Sequence, residues 1–484
     1  MDKKKTKFVP GFTPYPKSVN VIDHQTVYLS RGKDGDVLIV IGGDLGFAGE
    51  DFVTDGIRYR VAPLNHENAS VLRRILPFTA PRPGLVSSRS VGVGDRLGVA
   101  CPGHIRVFEK YDAFPIFAQQ SIRELNLTGR TYEEVLDCVT FAVFREGFRR
   151  GFGADGDHLK KPEELEYALK CGYTMITLDC SEHIRNDIDG LTDEQVSREY
   201  SPDPELERLY PGKTFDIGEG VSLTCSDSEY KRMVLIYGAA IRFACGIYAK
   251  YIQNQPVDFE ISVDETATPT SPLQHFFVAN ELRRRGVVFA TLAPRFCGEF
   301  QKGVDYIGDL AQFEREFAVH AVIARHFGYK ISVHSGSDKF SVFPIIGRLT
   351  QGRFHLKTAG TNWLEAVKLV ALKDPGLYRE IHAYALSVFK EAQKYYHVTT
   401  RLDRIPDLAG LADSELPKLF DQNDARQLIH ITYGLILTAR KSDGTDLFRS
   451  RLYALWNENS EAYAELLSKH IGKHLQLLYQ HVNL

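Results

Sequence analysis

The sequence lacks the usual marks of a membrane-spanning, disulfide-stabilised or nucleic-acid-binding protein. Across 484 residues, no uninterrupted apolar run approaches the roughly 18 residues of a transmembrane helix, so we expect no membrane span. The seven cysteines are odd in number and form no Cys-x-x-Cys pair, which is typical of a protein from the reducing cytoplasm. The formal net charge of −3 gives no general attraction to nucleic acid or to an anionic membrane.

Several nucleotide-binding and hydrolase motifs are also missing. There is neither a G-x-x-x-x-G-K-[ST] phosphate loop nor a G-x-S-x-G nucleophile elbow. The segment GVGDRLG (92–98) contains three glycines, but Asp95 and Arg96 interrupt it, which disfavours dinucleotide binding. The basic beginning, MDKKKTK, runs into FVPGFTPYP rather than a continuous apolar stretch, so we expect no signal peptide and a cytoplasmic location.

Residues 86–372 alternate short apolar runs with longer segments whose apolar residues recur every three or four positions. This alternation predicts strands and amphipathic helices in turn. Eight alternations favour an α/β fold of the (β/α)8 TIM-like barrel type, with a doubly wound sheet as the alternative. The predicted strands are RSVGVGDRLG (89–98), FPIFAQQS (114–121), GFGADGDH (151–158), YTMITLDC (173–180), DFEISVDE (258–265), VVFATLAPR (287–295), YKISVHSG (329–336) and RFHLKTAG (353–360).

Three further segments flank or interrupt the predicted barrel. Residues 1–85 combine a buried strand, DVLIVIGGDLGF, with the helical pattern NHENASVLRRIL, which predicts an N-terminal α/β cap. Residues 186–225 predict an insert over one end of the barrel. Residues 373–484 keep helical spacing, which predicts a C-terminal helical extension.

Polar residues gather where the predicted strands end. In a barrel of parallel strands these carboxyl ends meet on one face, which carries the active site. Asp157 and His158 follow the third strand, Asp264 and Glu265 the fifth, and His334 the seventh. One histidine at a strand end is usually only a satisfied polar group, but two histidines with several carboxylates on one rim suit a borderline divalent cation such as Zn, Mn, Co or Ni. The sequence does not choose among these metals.

Long segments of the chain resemble the tagaturonate/fructuronate epimerases of hexuronate catabolism, a family distantly similar to the class II aldolases. The matching segments are GDRLG, PIFAQQS, GFGADGDH, SVDETATPTSPL, GDLAQFERE, HSGSDKFSV and HLKTAG. The resemblance implies a metal-dependent isomerase that inverts C4 of a 2-ketohexuronate (ketose numbering). It would interconvert D-fructuronate and D-tagaturonate by retro-aldol cleavage and aldol re-addition.

The resemblance also implies roles for individual residues. Asp157 is the expected base and Glu265 its counterpart acid. His158 and His334 match the two metal histidines of the aldolase layout, and Glu299 stands where those aldolases place a further histidine, so we expect it as the third ligand of one divalent cation. The substrate carboxylate needs a cationic partner and the hydroxyls need polar ones. The candidates for these contacts are Arg96, Gln119, Arg123, Ser337, Lys339 and Lys357.

Three other functions fit the same residues. The first alternative is a class II-type metal-dependent aldolase acting on a keto sugar or sugar acid, which would release the cleaved aldehyde. A non-catalytic sugar-acid-binding protein and an NAD-assisted epimerase are the others. In each case we expect a small-molecule hexuronate or related sugar acid as the partner, with no nucleic acid and no membrane, and a homo-oligomer stays open.

Overall fold

The chain begins with an antiparallel sheet that precedes the barrel. The computed structural model describes residues 8–33 and 35–482, so the basic beginning discussed above lies outside the described residues. The first elements are β1 (Thr13–Pro14), β2 (Asn20–Ile22), β3 (Gln25–Gly32), β4 (Gly35–Ile41), β5 (Glu50–Thr54), β6 (Ile57–Ala62) and helix α1 (His66–Ile75). The sheet order is β1-β3-β4-β6-β5, with β2 paired to β3. Leu72 of α1 shares a hydrophobic core with Leu29 and Leu38 of the sheet, which makes this segment an α/β cap.

Eight parallel strands close the barrel that follows. The strands are β7 (Arg89–Val93), β8 (Phe114–Ser121), β9 (Gly153–Leu159), β10 (Met175–Asp179) and, after a hairpin of β11 (Lys213–Asp216) and β12 (Ser222–Cys225), β13 (Asp258–Val263), β14 (Thr291–Pro294), β15 (Lys330–Val333) and β16 (Phe354–Thr358). Their order around the barrel is β10-β13-β14-β15-β16-β7-β8-β9, and β9 pairs with β10. Every predicted strand is present, which confirms the (β/α)8 barrel and excludes the doubly wound sheet.

Helices follow the strands and cover the outside of the barrel. They are α2 (Cys101–Lys110), α3 (Ile122–Thr128), α4 (Tyr132–Glu146), α5 (Pro162–Lys170), α6 (Asp193–Glu199), α7 (Pro204–Leu209), α8 (Asp227–Ile247), α9 (Pro272–Arg284), α10 (Leu310–Phe327), α11 (Phe343–Leu349) and α12 (Thr361–Lys373). Their ends follow local chemistry. Asp309 accepts backbone N–H bonds at the start of α10, and Gly328, with φ of 78°, ends it.

Helix α8 and the π-helical turn after it, Asp227–Ile252 together, are long and apolar enough by composition to cross a membrane, with a mean hydropathy of 1.3. This is weak evidence for a span, because core helices of soluble proteins pass the same test. Ile236, Ala240 and Ile241 on one side of α8 belong to the main hydrophobic core. The helix therefore packs as part of the outer layer of the barrel.

The C-terminal part of the chain is helical and packs directly on the barrel. Its helices are α13 (Pro375–Ala392), α14 (Asn423–Ile431), α15 (Tyr433–Thr438), α16 (Arg449–Glu458) and α17 (Ser460–Leu478). Trp363 of α12 and Trp456 of α16 are fully buried in a second hydrophobic core, with ring centroids 6.3 Å apart. The domain boundaries at residues 85 and 372 stay predictions, and the second falls one residue before the end of α12.

Two glycines near the contact between α17 and the barrel should respond in opposite ways when alanine replaces them. A Cβ on Gly347 of α11 would collide with the backbone carbonyl of Leu478, so Gly347→Ala should destabilise the protein by about 1–3 kcal/mol. A Cβ on Gly472, within α17, meets nothing within 4 Å, so Gly472→Ala should stabilise it by about 0.5–1 kcal/mol. Thermal unfolding midpoints check both, and equal shifts of one sign would contradict the packing described.

Candidate active site

A cavity of about 300 Å³ opens at the carboxyl ends of the barrel strands. Enzymes built on this barrel carry their active sites at that end. The wall combines strand ends, the loops after β13, β14 and β15, and residues 395–397 of the C-terminal extension. Its polar lining residues are Gln119, Ser121, Arg123, Glu124, Asp157, His158, Asp264, Glu265, Arg295, Glu299, Gln301, Lys302, His334, Ser335, Ser337, Lys357, Tyr395, Tyr396 and His397.

The imidazoles of His158 and His334 face each other inside this cavity. Their ring centroids lie 4.9 Å apart, at an interplanar angle of 73°. With a carboxylate oxygen of Asp264, they bring three potential ligand atoms within 4.8 Å of one another. Two imidazole nitrogens and a carboxylate oxygen are a donor set that suits zinc and related divalent cations. These three side chains are therefore able to hold one cation together.

Each imidazole has one nitrogen within hydrogen-bond distance of a buried carboxylate, a different one for each ring. Nδ1 of His158 lies 3.2 Å from Asp179, and Nε2 of His334 lies 2.7 Å from Glu260. Burial would lower the pKa of both imidazoles, but the neighbouring carboxylates outweigh it and raise that of His158 to about 10 and that of His334 to about 9. The negative electrostatic potential of these carboxylates, which favours a proton on each ring, would also favour a bound cation.

Lys357 compensates the negative charge inside the barrel. Its ammonium lies 2.8 Å from a carboxylate oxygen of Asp155 and 2.7 Å from one of Asp157. A third carboxylate, that of Glu260, lies 2.8 Å away, and all four side chains are buried. Burial would raise the pKa of Asp157, but Lys357 and the two imidazoles outweigh it and lower that pKa to about 2. Asp157 therefore faces the cavity as a carboxylate held in a fixed position.

The predicted partner of Asp157, Glu265, lines the same cavity in a more exposed position. Its side chain is 33% exposed, and its carboxylate lies 3.2 Å from the ammonium of Lys160 and 3.7 Å from the guanidinium of Arg123. Asp157 and Glu265 thus differ in environment, since one is buried and the other can exchange protons with water.

The geometry assigns the carboxylate beside the two imidazoles to Asp264 rather than to Glu299, the third ligand expected from the sequence. Glu299 lines the cavity, and its backbone pairs with Ile307. Among the described residues, the groups with ligand atoms within 4.8 Å of one another do not include Glu299. Its position in the loop after β14, beyond the strand end, explains the difference, because loop geometry does not follow strand spacing.

The predicted substrate contacts divide into two sets. Gln119, Arg123, Ser337 and Lys357 line the cavity. Lys357 offers no free charge there, because three carboxylates already surround its ammonium.

Arg96 and Lys339 lie behind the cavity wall, and neither is among the lining residues of the described chain. The guanidinium of Arg96 donates to Glu124 at 2.6 Å and lies 4.0 Å from the ring centroid of Tyr433. The ammonium of Lys339 donates to three backbone carbonyl oxygens. Both side chains are buried and hydrogen-bonded to protein groups, although one guanidinium nitrogen (Nη1) of Arg96 has no hydrogen-bond partner among the described residues. Both therefore lie behind the cavity wall rather than at its surface.

Sequence reasoning missed several lining residues that come from loops and from the C-terminal extension. Lys302 follows β14 and donates to Ser335 at 3.1 Å, next to His334. The guanidinium of Arg123 lies over the ring of Tyr396, with its carbon 5.3 Å from the centroid of that ring. No periodic pattern marks either residue. The one feature that could have drawn attention to Lys302 is its charge: with Arg123, it adds positive charge to a cavity rich in carboxylates.

Comparison with known proteins identifies the family. The model of the tagaturonate epimerase family, UxaE, matches residues 15–478. The chain belongs to this family. As a member of the tagaturonate epimerase family it is an enzyme of the isomerase class, which confirms the resemblance drawn from the sequence.

Relatives of known function agree with this placement. The chain is 44% identical to the tagaturonate/fructuronate epimerase of Thermotoga maritima, over 98% of each protein. Its fold is similar to the native crystal structure of the fructuronate-tagaturonate epimerase of Cohnella laeviribosi, with a TM-score of 0.94 and 50% identity over 97% of each chain. The glycerol-complexed structure of that epimerase matches with the same TM-score and 51% identity over 96% of each chain.

Removal of the central ammonium should destabilise this epimerase strongly. Lys357→Met removes the one ammonium that three buried carboxylates share, and the expected loss is about 3–5 kcal/mol of unfolding free energy. Lys160→Met is the matched control. Its ammonium is itself partly exposed, and of its two partners Glu265 is partly exposed while the buried Asp179 keeps its contact with His158, so the loss should be no more than about 1 kcal/mol. Urea unfolding in EDTA measures both, and equal losses would contradict the central role of Lys357.

Proposed function

We propose that this enzyme interconverts D-fructuronate and D-tagaturonate by inverting C4, with one divalent cation in the active site. The observation that carries the proposal is the juxtaposition in one cavity of a three-residue donor set, His158, Asp264 and His334, with two carboxylates able to transfer protons. The names of its relatives from Thermotoga maritima and Cohnella laeviribosi support the choice of substrate.

The chemistry follows from the position of C4. Its hydrogen is β to the C2 ketone, so enolisation of that ketone does not remove it. Loss of the C4 hydroxyl proton instead allows the C4 carbonyl to form while the C3–C4 bond breaks and its electron pair moves toward the C2 oxygen. The products are a three-carbon enediolate (C1–C3) and a three-carbon aldehyde (C4–C6). Rotation of the aldehyde and re-formation of the C3–C4 bond invert C4 without any net gain or loss of atoms or electrons.

Two side chains are proposed for the proton transfers. Asp157, kept ionised by Lys357, accepts the C4 hydroxyl proton from one side. Glu265 serves the other face, and its partial exposure gives it a route to solvent protons. Acid–base groups that both line the cavity suit a reaction that must start from either epimer.

The donor set fits a divalent cation. Asp179 lies against one nitrogen of His158, and Glu260 against one nitrogen of His334. The other nitrogen of each ring would bind the cation together with Asp264, whose carboxylate lies 3.1 Å from that nitrogen of His334. When bound there, such a cation supplies Lewis-acid stabilisation of negative charge on the substrate oxygens. We propose Asp264 as the third ligand in place of Glu299. The identity of the metal among Zn, Mn, Co and Ni stays open.

We further propose the cytoplasm as the location and a small-molecule hexuronate as the partner. All seven cysteines are free in the structure, which supports a reducing compartment. The cavity of about 300 Å³ has the size of a pocket for a single small ligand.

Incubation of metal-loaded protein with fructuronate in deuterated water tests the function. NMR should show tagaturonate in which C4 keeps its original hydrogen, because retro-aldol chemistry never breaks the C4–H bond. Deuterium at C4 would contradict the retro-aldol route. Accumulation of two three-carbon products instead of an epimer would make the protein an aldolase. Treatment with EDTA should abolish turnover, and unchanged turnover would contradict metal dependence.

The histidine ligands are tested by His334→Ala. This variant should lose bound metal and epimerase activity together, because it removes one of three donors. Metal analysis after dialysis measures the first effect and fructuronate turnover the second. A full metal equivalent in the variant would remove His334 from the ligand set.

The base is tested by Asp157→Asn, which keeps the shape of the side chain and removes its charge. Metal content should stay at one equivalent, while turnover falls by roughly 10²–10⁴, the usual scale for a positioned acid–base group. The contrast with His334→Ala separates loss of the base from loss of the cation. Near-normal turnover of Asp157→Asn would refute the assignment.

A further inference from the structure

Lys302 is a cation of the cavity whose charge has no nearby counterpart. Within residues 8–33 and 35–482, no carboxylate oxygen lies within 4.0 Å of its ammonium, which donates to the hydroxyl of Ser335 at 3.1 Å. By contrast, Lys357 lies among three carboxylates, and Lys160 pairs with two. Burial, together with the positive charges of Arg96 and Arg123, lowers the pKa of Lys302. An anion bound here would relieve this repulsion.

The backbone of the loop that carries Lys302 accepts three hydrogen bonds from two side chains, Lys339 and Arg426. Lys339 donates to the backbone carbonyl oxygens of Gln301 and Val304. Arg426, from the C-terminal extension, donates to the carbonyl oxygen of Gly303 at 2.7 Å. The backbone on both sides of Lys302 is therefore fixed before any substrate arrives, which is the arrangement expected of a preorganised binding group.

We infer that Lys302, together with Arg123, binds the carboxylate of the hexuronate, and this inference rests on the proposed function. Arg123 lines the same cavity, and its only carboxylate contact within 4.0 Å among the described residues is with Glu265 at 3.7 Å, longer than a hydrogen bond. A guanidinium and an ammonium are the usual protein partners of a carboxylate. The other sequence-derived cations, Arg96, Lys339 and Lys357, are engaged with protein groups.

The same contact would decide what happens after the C3–C4 bond breaks. The carboxylate is C6, so it belongs to the aldehyde fragment (C4–C6). Inversion requires this fragment to turn its C4 carbonyl about the C4–C5 bond while the fragment stays in the cavity. An anchor at C6 permits that rotation and prevents escape. Re-addition then re-forms C3–C4 and returns the proton to the C4 oxygen. Lys302 thus acts as the group that separates an epimerase outcome from aldolase cleavage.

The experiment compares Lys302→Met, which keeps length and removes charge, with Lys302→Arg, which keeps charge. Lys302→Met should raise the KM for fructuronate roughly 10- to 100-fold, the range for loss of one charge-assisted hydrogen bond. It should also increase the fraction of turnovers that end in free three-carbon products. Lys302→Arg should restore most of both properties. Metal content and thermal unfolding of each variant show whether the site is intact.

A matched pair of small probes tests the subsite without turnover. Calorimetry should show that glycerate binds the wild-type protein more tightly than glycerol, which lacks the carboxylate. Lys302→Met should reduce this difference about tenfold or more, with Arg123 accounting for what remains. Equal glycerate binding by wild type and Lys302→Met, or an unchanged KM with no added fragment release, would overturn the inference. If the wild-type protein failed to epimerise fructuronate, the proposed function would fall, and the glycerate comparison would still decide the role of Lys302.

Discussion

The site depends on one ion cluster, the Lys357 ammonium among the carboxylates of Asp155, Asp157 and Glu260. Three buried carboxylates without a counter-charge would be too costly in free energy for the folded state to keep them ionised. The ammonium makes them tolerable and fixes their positions through short contacts. Since Asp157 is the proposed base and Glu260 bonds to His334, the same cluster holds both the proposed proton-transfer group and a proposed metal ligand in place.

A second group of carboxylates surrounds the two imidazoles, where the proposed cation would bind. Asp179 and Glu260 each hold one nitrogen of an imidazole, and Asp264 lies 3.1 Å from the other nitrogen of His334. His158 itself has φ of 51°, a left-handed conformation that is strained for a residue other than glycine. Strain of this kind persists only where surrounding contacts enforce it, and the ring of this residue faces that of His334.

The sequence predicted the features that depend on the periodic spacing of apolar residues, and it did not predict those that depend on loops or on contacts between distant segments. The alternation of strands and helices located all eight barrel strands, and the strand ends gave Asp157, His158 and His334 a common face. The role of Lys357 was harder to predict, because it shares with His355 the inward face of β16, where only the folded barrel shows which carboxylates lie opposite. Lys302 could not be predicted, because the position of a loop residue depends on contacts with elements distant in sequence.

The C-terminal extension supplies contacts that an epimerase built on this barrel needs in addition to the barrel itself. An aldolase must release its aldehyde, whereas an epimerase that works by the proposed retro-aldol route must keep it through a rotation. The extension contributes Tyr396 to the cavity wall and holds the loop of Lys302 through Arg426. It also anchors the loop after β15, because His470 of α17 bonds to Asp338 there. Both loops next to the proposed carboxylate position are thus fixed by the same segment. In the proposed mechanism, retention of the fragment is therefore a property that the extension adds to chemistry located in the barrel.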